Sequence, residues 1–405
     1  MTSPTPSLFS HVPPYPGDPI LSLMESFQAD PRAHKVSLSI GVYFDEQGRL
    51  PVLASVREAE TALLQEIGPR PYLPIEGIAG FRSALQRLLF GAAHEAVANG
   101  RIATLQTLGG SGGLKVGADF MRHYFPGSAV WVSDPTWENH RAIFEGAGLS
   151  VHSYPYYDPA TGGLRFGDML ASIDALPRHS IVLLHASCHN PTGVDLSTAQ
   201  WQSLIPVLRE RELIPFVDIA YQGFGDGLDD DAFAVRAMAD AGLQFFVANS
   251  FSKNFSMYGE RCGGLCVVCN DAQAAEIVLG QLKATVRRNY STPPTHGARV
   301  IARVLNDPRL FAQWTEETAG MRRRIREMRE RLHALLDDKF KGRLDFGYLL
   351  SQRGMFSYTG LREAQVNRLR DEHAVYLVRS GRLCLSGLTS ANVAHVAESM
   401  AAVLV

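Results

Sequence analysis

Apolar runs at Ala129–Ser133, Val151–Tyr156, Ile181–Ala186, Leu213–Ile219, Phe245–Ser250 and Leu265–Cys269 punctuate the middle of the chain. Most are continuous rather than alternating, the signature of strands buried on both faces. Between them Trp201, Leu204, Ile205 and Leu208 share one helical face, as do Ala274, Ile277, Val278, Gln281 and Leu282. Pro206 inside the first stretch argues against a fully regular helix there. Ahead of the runs, residues 53–67 and 80–90 read as helices. Alternating strand and helix predicts a large α/β unit, a mostly parallel sheet covered by helices.

The pattern changes past residue 305. Met321, Ile325, Met328, Leu332 and Leu335 fall on one stripe of a long helix. Arg322, Arg323, Arg324, Arg326, Arg329 and Arg331 surround that stripe, and the interleaved Glu327 and Glu330 make a solvated face the expected reading. Short strand-like pieces (Gly354–Tyr358, Val375–Val378, Arg382–Ser386) and a last helix follow. At 405 residues the chain exceeds the roughly 250–300 at which single cores split. The expected division is an N-terminal arm and part of a small domain over 1–48, a large domain over 49–310, and a small α+β domain with a long connecting helix over 311–405.

Composition narrows the class. Apolar residues at 46% and charged residues at 20% describe a globular chain. Lys+Arg 39 against Asp+Glu 41 leaves a net charge of −2, so no global field favours nucleic acid or an anionic membrane. No apolar run approaches the roughly 18 residues of a membrane span. The first 31 residues lack Lys and Arg and hold Pro4, Pro6, Pro13, Pro14, Pro16, Pro19 and Pro31, which fits neither a signal nor a transit peptide. Five cysteines in so long a chain point to a reducing cytoplasm. Only six of the 39 basic residues are lysines, so a lysine within a motif stands out.

Four patterns compete for the chemistry. Cys262-x3-Cys266-x2-Cys269 has a spacing used for iron–sulfur ligation, but it overlaps a buried strand and reads better as small core cysteines. Gly109-x-Ser111-x-Gly113, between a possible strand at 102–108 and a helix from Leu114 to Tyr124, suits a nucleophile elbow, a plain helix start or an anion cradle. Ser250-x-Ser252-Lys253 closes a buried strand, where ligand sites of open α/β sheets lie. A desolvated lysine there becomes an amine nucleophile toward carbonyls, and Arg261 offers a fork for phosphate. Finally, His189-Asn190-Pro191-Thr192-Gly193 and Asp218-x-x-Tyr221 follow two further strands, and an acid ending a buried strand needs a cation or a donor. A phosphate grip, an electrophile-binding lysine and an acid for a protonated ring nitrogen are together the parts pyridoxal phosphate requires.

The run Asn249-Ser250-Phe251-Ser252-Lys253-Asn254-Phe255, with Tyr258-Gly259-Glu260-Arg261, resembles the cofactor-lysine segment of aspartate and aromatic amino-acid aminotransferases. His189–Gly193, Asp218–Phe224, Asp134–His140 and Ser380-Gly381-Arg382 match the same class I pyridoxal-phosphate family in order. The similarity runs from about Asp18-Pro19-Ile20-Leu21 to the C-terminus. The resemblance implies the type I fold of pyridoxal-phosphate transferases. It makes Lys253 the residue that condenses with the cofactor aldehyde and then carries the proton between substrate α-carbon and cofactor. Asp218 would hold the pyridine nitrogen protonated, with His140 behind it, while Tyr221 and Asn190 bond the ring 3′-oxygen. Trp137 would stack on the ring. Gly110, Ser111, Ser250, Ser252 and Arg261 would bind the phosphate, joined by Tyr72 of a neighbouring subunit. Arg382 would grip the substrate α-carboxylate with Gly41 nearby, and Arg287, also from the neighbour, a second carboxylate. Shared sites imply a homodimer.

Within that family Phe44, Leu50, Ser111 and Thr292 stand where a dicarboxylate enzyme carries more polar or larger side chains. They favour an aromatic ring, since burying one against unpaired polar groups costs free energy. The expected reaction is transfer of the amino group from tyrosine or phenylalanine, and also aspartate, to 2-oxoglutarate. A mainly dicarboxylate-specific aspartate aminotransferase is the alternative.

Overall fold

The computed structural model describes residues 8–15, 17, 19–66 and 68–404. Pro4, Pro6, Pro16 and Asp18, and Ile67 closing the expected 53–67 helix, lie outside the described residues.

Seven strands form the central sheet: β1 (Ile102–Leu108), β2 (Val130–Asp134), β3 (Val151–Pro155), β4 (Ile181–His185), β5 (Ile214–Ile219), β6 (Phe245–Ser250) and β7 (Cys262–Val268). Their spatial order is β1-β7-β6-β5-β4-β2-β3. β7 pairs antiparallel with both neighbours, Cys262 opposite Leu108 and Gly263 opposite Ser250. The remaining pairings are parallel. The apolar runs mark β2 to β6 to within a residue or two. β7 begins three residues before its run, because Gly263 and Gly264 interrupt the apolar pattern. Both are needed: a Cβ on Gly263 would lie 2.4 Å from the Asn249 carbonyl, and one on Gly264 2.1 Å from Leu85 Cδ2.

Alternation along each strand feeds two cores. Phe216, Phe246 and Leu265 face one layer with Leu114 and Phe144. Val217, Val247 and Cys266 face the other, which continues into Leu332, Leu369 and Met400 of the C-terminal part. The helix over Thr198–Glu210 runs through Pro206, started by a capping box between Ser197 and Gln200.

The long helix spans Pro308–Phe340, with Asp307 accepting from the Arg309 and Leu310 amides. Its buried stripe holds Met321, Ile325, Met328 and Leu332, with Leu336 buried and Leu335 half-buried. One arginine corrects the expected solvated face: Arg329 is buried and donates to backbone carbonyls. The chain then forms Phe356–Tyr358, antiparallel to Arg382–Cys384, and Val375–Tyr376, parallel to Val36–Ser37 of the N-terminal segment. Among the described residues no helix is long and apolar enough to cross a membrane.

Candidate active site

Six segments meet at one edge of the sheet. β1, β2, β4, β5 and β6 end there, and β7, running the opposite way, begins there. The helix Gly109–Tyr124 follows β1 directly, with Gly109 at φ +68°. Its first-turn N–H groups, at Gly110 and Ser111, have no partners within the helix and carry the positive end of its dipole. A Cβ on Gly110 would sit 3.2 Å from Ser250 Cβ, so the helix start and the end of β6 touch. The Ser250 hydroxyl donates to Ser252 Oγ at 3.2 Å. Arg261, in a left-handed conformation (φ +52°) before β7, donates to Ser252 Oγ at 3.3 Å and to the Tyr258 carbonyl at 3.1 Å. Its guanidinium lies against Gly109, where a Cβ would be 2.8 Å from Nη2. Free amides, two hydroxyls and a fork form a cradle for a phosphate.

Asp218, next to last in β5, is almost fully buried. Its Oδ2 is 3.0 Å from His140 Nε2, and since a carboxylate only accepts, Nε2 carries the proton. His140 Nδ1 is 2.8 Å from Thr136 Oγ1. Burial raises the Asp218 pKa, but the His140 hydrogen bond and then the fields of His140 and Lys253 outweigh it and leave the carboxyl below its ordinary value. Among the described residues Asp218 Oδ1 is buried without a partner, an acceptor that could take an N–H donor.

Lys253 follows β6, its Nζ 5.2 Å from the Tyr221 ring centre. Burial pulls its pKa down to about 8, Arg261 and Arg382 push the same way, and Asp218 opposes them. Burial also raises the Tyr221 phenol. Arg382 is buried, donating to Asn190 Oδ1 at 3.2 Å and to the Ser39 carbonyl at 2.6 Å, with its guanidinium 4.4 Å from the Phe356 ring centre.

These groups enclose a cavity of about 250 Å³. Gly41, Gly110, Ser111, Trp137, Asn190, Asp218, Tyr221, Ser250, Ser252, Lys253, Arg261 and Arg382, all expected from the sequence, line it. His140 stands behind Asp218, edge-on to Trp137 with ring centres 5.2 Å apart. Ile40, His185, Ala220 and Phe356 also line it and were not foreseen. His185 had a signal, as the last residue of a buried strand ending at this edge; Phe356 had none. Burial, then the His140 charge, holds the His185 pKa at about 3.

Two expected residues stand apart in this single chain. Tyr72 is 92% exposed, and Arg287 is exposed and donates to Ser291 Oγ. Phe44, Leu50 and Thr292 do not line the cavity either. After Gly41 the chain turns away: the Tyr43 amide donates to the Tyr258 hydroxyl at 2.8 Å, and the Tyr43 ring lies 5.6 Å from the Arg324 guanidinium.

The cysteines are core residues, all five buried and free. Burial pushes Cys262 and Cys266 up to about 12 and Cys269 to about 11, far from thiolate ligands. His140, His185 and Asp218 bring ligand atoms within 4.8 Å of one another. His140 Nε2 and Asp218 Oδ2 are hydrogen-bonded to each other.

An amine tuned for carbonyls, a phosphate cradle and a carboxylate with one free oxygen define a site suited to a phosphorylated pyridine aldehyde. The chain belongs to the aminotransferase class I and II family, whose model matches residues 33–400. It is 60% identical to the aromatic-amino-acid aminotransferase of Escherichia coli (strain K12), covering 98% of this chain and 100% of that one. A crystal structure of an aromatic amino acid aminotransferase from Burkholderia cenocepacia J2315 superposes with a TM-score of 0.95 at 62% identity, covering 98% and 99%. An aromatic-amino-acid aminotransferase from Burkholderia pseudomallei, covalently bound to pyridoxal phosphate, superposes at 0.96 with 51% identity, covering 98% and 100%.

Proposed function

We propose that this chain is a pyridoxal-phosphate-dependent aromatic amino-acid aminotransferase, moving the amino group of tyrosine or phenylalanine, and also aspartate, to 2-oxoglutarate. The observation that carries this is the Lys253 amine, its pKa lowered by burial, sharing one cavity with the unpartnered Asp218 oxygen and the Arg382 fork. The names of the relatives, and the apolar walls of Trp137, Ile40 and Phe356, support the aromatic preference.

When bound, pyridoxal phosphate supplies a carbonyl that condenses with amines and a pyridinium ring that takes up the electron pair left at the substrate α-carbon. Gly110, Ser111, Ser250, Ser252 and Arg261 would hold its phosphate. Asp218 Oδ1 would accept from the ring N–H and keep it protonated, with His140 fixing the carboxylate. Tyr221 and Asn190 would donate to the ring 3′-oxygen. Arg382 grips the substrate α-carboxylate with two N–H groups, beside Gly41. Lys253 Nζ would take the substrate α-proton as a neutral amine and give it back as an ammonium. Trp137 would cover the cofactor and keep water out.

Tyr72 and Arg287 would enter the site of a second copy, making a homodimer with shared sites in the cytoplasm. The division into 1–48, 49–310 and 311–405 is part of the same reading, with Arg382 on the small domain and Lys253 on the large.

The test is a spectrum and a mass. Holoenzyme should carry a visible absorption band that tyrosine shifts and 2-oxoglutarate restores. Borohydride reduction should leave the pyridoxyl adduct on Lys253, and Lys253→Ala should lose turnover by at least about 10³-fold. An adduct on another residue, or normal turnover by the variant, overturns the reading.

A further inference from the structure

Arg329 is a buried cation with no acid in ion-pair contact among the described residues, its relative exposure 3%. Instead Nη1 donates to the Leu349 carbonyl (3.0 Å) and Ser357 Oγ (2.6 Å), while Nη2 donates to the carbonyls of Gly354 (2.8 Å), Phe356 (2.5 Å) and, more distantly, Arg353 (3.3 Å). Taking a guanidinium out of water without a contacting counter-ion is costly, and burial lowers the Arg329 pKa although the charge of Asp195 opposes this. The fork holds a turn and the strand that follows it. Phe356 and Ser357 sit opposite Cys384 and Leu383, and Tyr358 opposite Arg382 itself. The ring of Phe356 lies under the Arg382 guanidinium.

Asp195 plays the complementary part at the loop that carries Asn190. Its carboxylate accepts the Cys188 and His189 amides at 2.7 and 2.8 Å, fixing the loop that carries Asn190, and Asn190 Oδ1 accepts from Arg382. The two clamped segments meet: the Arg353 amide donates to the Gly193 carbonyl at 2.6 Å, and a Cβ on Gly193 would lie 2.4 Å from the Phe356 carbonyl.

We propose that Arg329 and Asp195 are positioning residues for substrate carboxylate binding, the cation gathering carbonyls and the anion gathering amides so that Phe356 and Asn190 hold the Arg382 fork in place. This rests on the reading of Arg382 as the carboxylate grip. Neither residue touches the cavity side of Arg382, and each acts through one intermediary. Both fit the general rule that a binding fork is useful only when its own rotamer is fixed from behind.

The probe is 3-phenylpropionate, an aromatic carboxylate without an amino group, titrated into holoenzyme and followed by the shift of the visible band. Arg329→Lys keeps the charge but reaches fewer carbonyls. It should raise the Kd for the probe and the KM for tyrosine about tenfold while changing kcat less than about twofold. Leu336→Ala, on the same helix and fully buried, should lower Tm and leave the Kd unchanged. A fall in Tm for Arg329→Lys with Kd within twofold of the parent means a purely structural role and overturns the proposal. Asp195→Asn, which leaves only one good acceptor for two amides, carries the same test should Arg329→Lys yield no folded protein; an unchanged Kd there overturns it too. Arg382→Lys separates the two levels. If it leaves Kd unaltered the carboxylate reading itself fails, and if it weakens binding while the positioning variants do not, only this proposal falls.

Discussion

At the residue scale the site is a set of side chains in protonation states that water would not give them. Lys253 is the clearest. Burial penalises its ammonium form and two neighbouring guanidinium groups add to that, so the neutral amine is abundant near pH 8. Only the neutral amine attacks a carbonyl, so lowering the pKa brings reactivity into the working range. In cofactor-free protein, Lys253 should react with trinitrobenzenesulfonate along a curve whose midpoint is near pH 8, read by peptide mass spectrometry. An ordinary lysine amine has its midpoint at about 10.4. A Lys253 midpoint in that ordinary range would mean the cavity does not desolvate the amine. Asp218 shows the opposite balance: burial alone would neutralise it, and the hydrogen bond from His140 with nearby positive charge keeps it ionised.

At the element scale, the antiparallel β7 explains how Arg261 joins residues from parallel strand ends. A parallel strand in that place would deliver its first residue to the far edge of the sheet. The reversal depends on two glycines, because β7 is pressed between β6 and the turn at Gly109. A Cβ on Gly263 would lie 2.5 Å from the Gly109 carbonyl carbon. Gly263→Ala should therefore cost about 1–3 kcal/mol by overpacking and, by moving Gly109, weaken retention of the cofactor phosphate. Gly280→Ala on the helix Ala272–Asn289, where nothing lies within 4 Å of the new Cβ, should be neutral or stabilise by up to about 1 kcal/mol. Thermal unfolding with and without cofactor checks both, and equal behaviour of the two variants would refute the steric account. This scale also shows what sequence could tell. Continuous apolar runs reveal strands buried on both faces, and motifs at their ends reveal the site, because strand ends are where backbone leaves the sheet. Arg329 was illegible: its row of arginines and glutamates has the spacing of a solvated face, and only the turn at 349–357 folding over it supplies the carbonyls. Phe356 was hidden for the same reason, since nothing local in a three-residue strand says what crosses its ring.

At the scale of the whole molecule, the proposed reading gives the single chain one substrate-binding fork where the reaction calls for two. A 2-oxoglutarate acceptor has carboxylates at both ends, and Arg382 can pair with one. Arg287, Tyr72, Leu50, Val52 and Leu64 are all exposed on the single chain. Two copies related by a twofold axis would each lend Arg287 and Tyr72 to the other. The consequence can be measured with two defective proteins. Arg287→Ala retains Lys253 but lacks the arm it lends, whereas Lys253→Ala lends a sound arm but has no amine of its own. Neither homodimer should transaminate aspartate at an appreciable rate. Mixed and refolded at equal amounts, half the dimers are hybrids, and in each hybrid one of two sites joins an intact Lys253 to an intact Arg287. Aspartate activity should return to about a quarter of the parent value on statistical pairing of a twofold dimer. If Arg287 served its own chain instead, no site in any hybrid would be whole, and mixing would restore nothing.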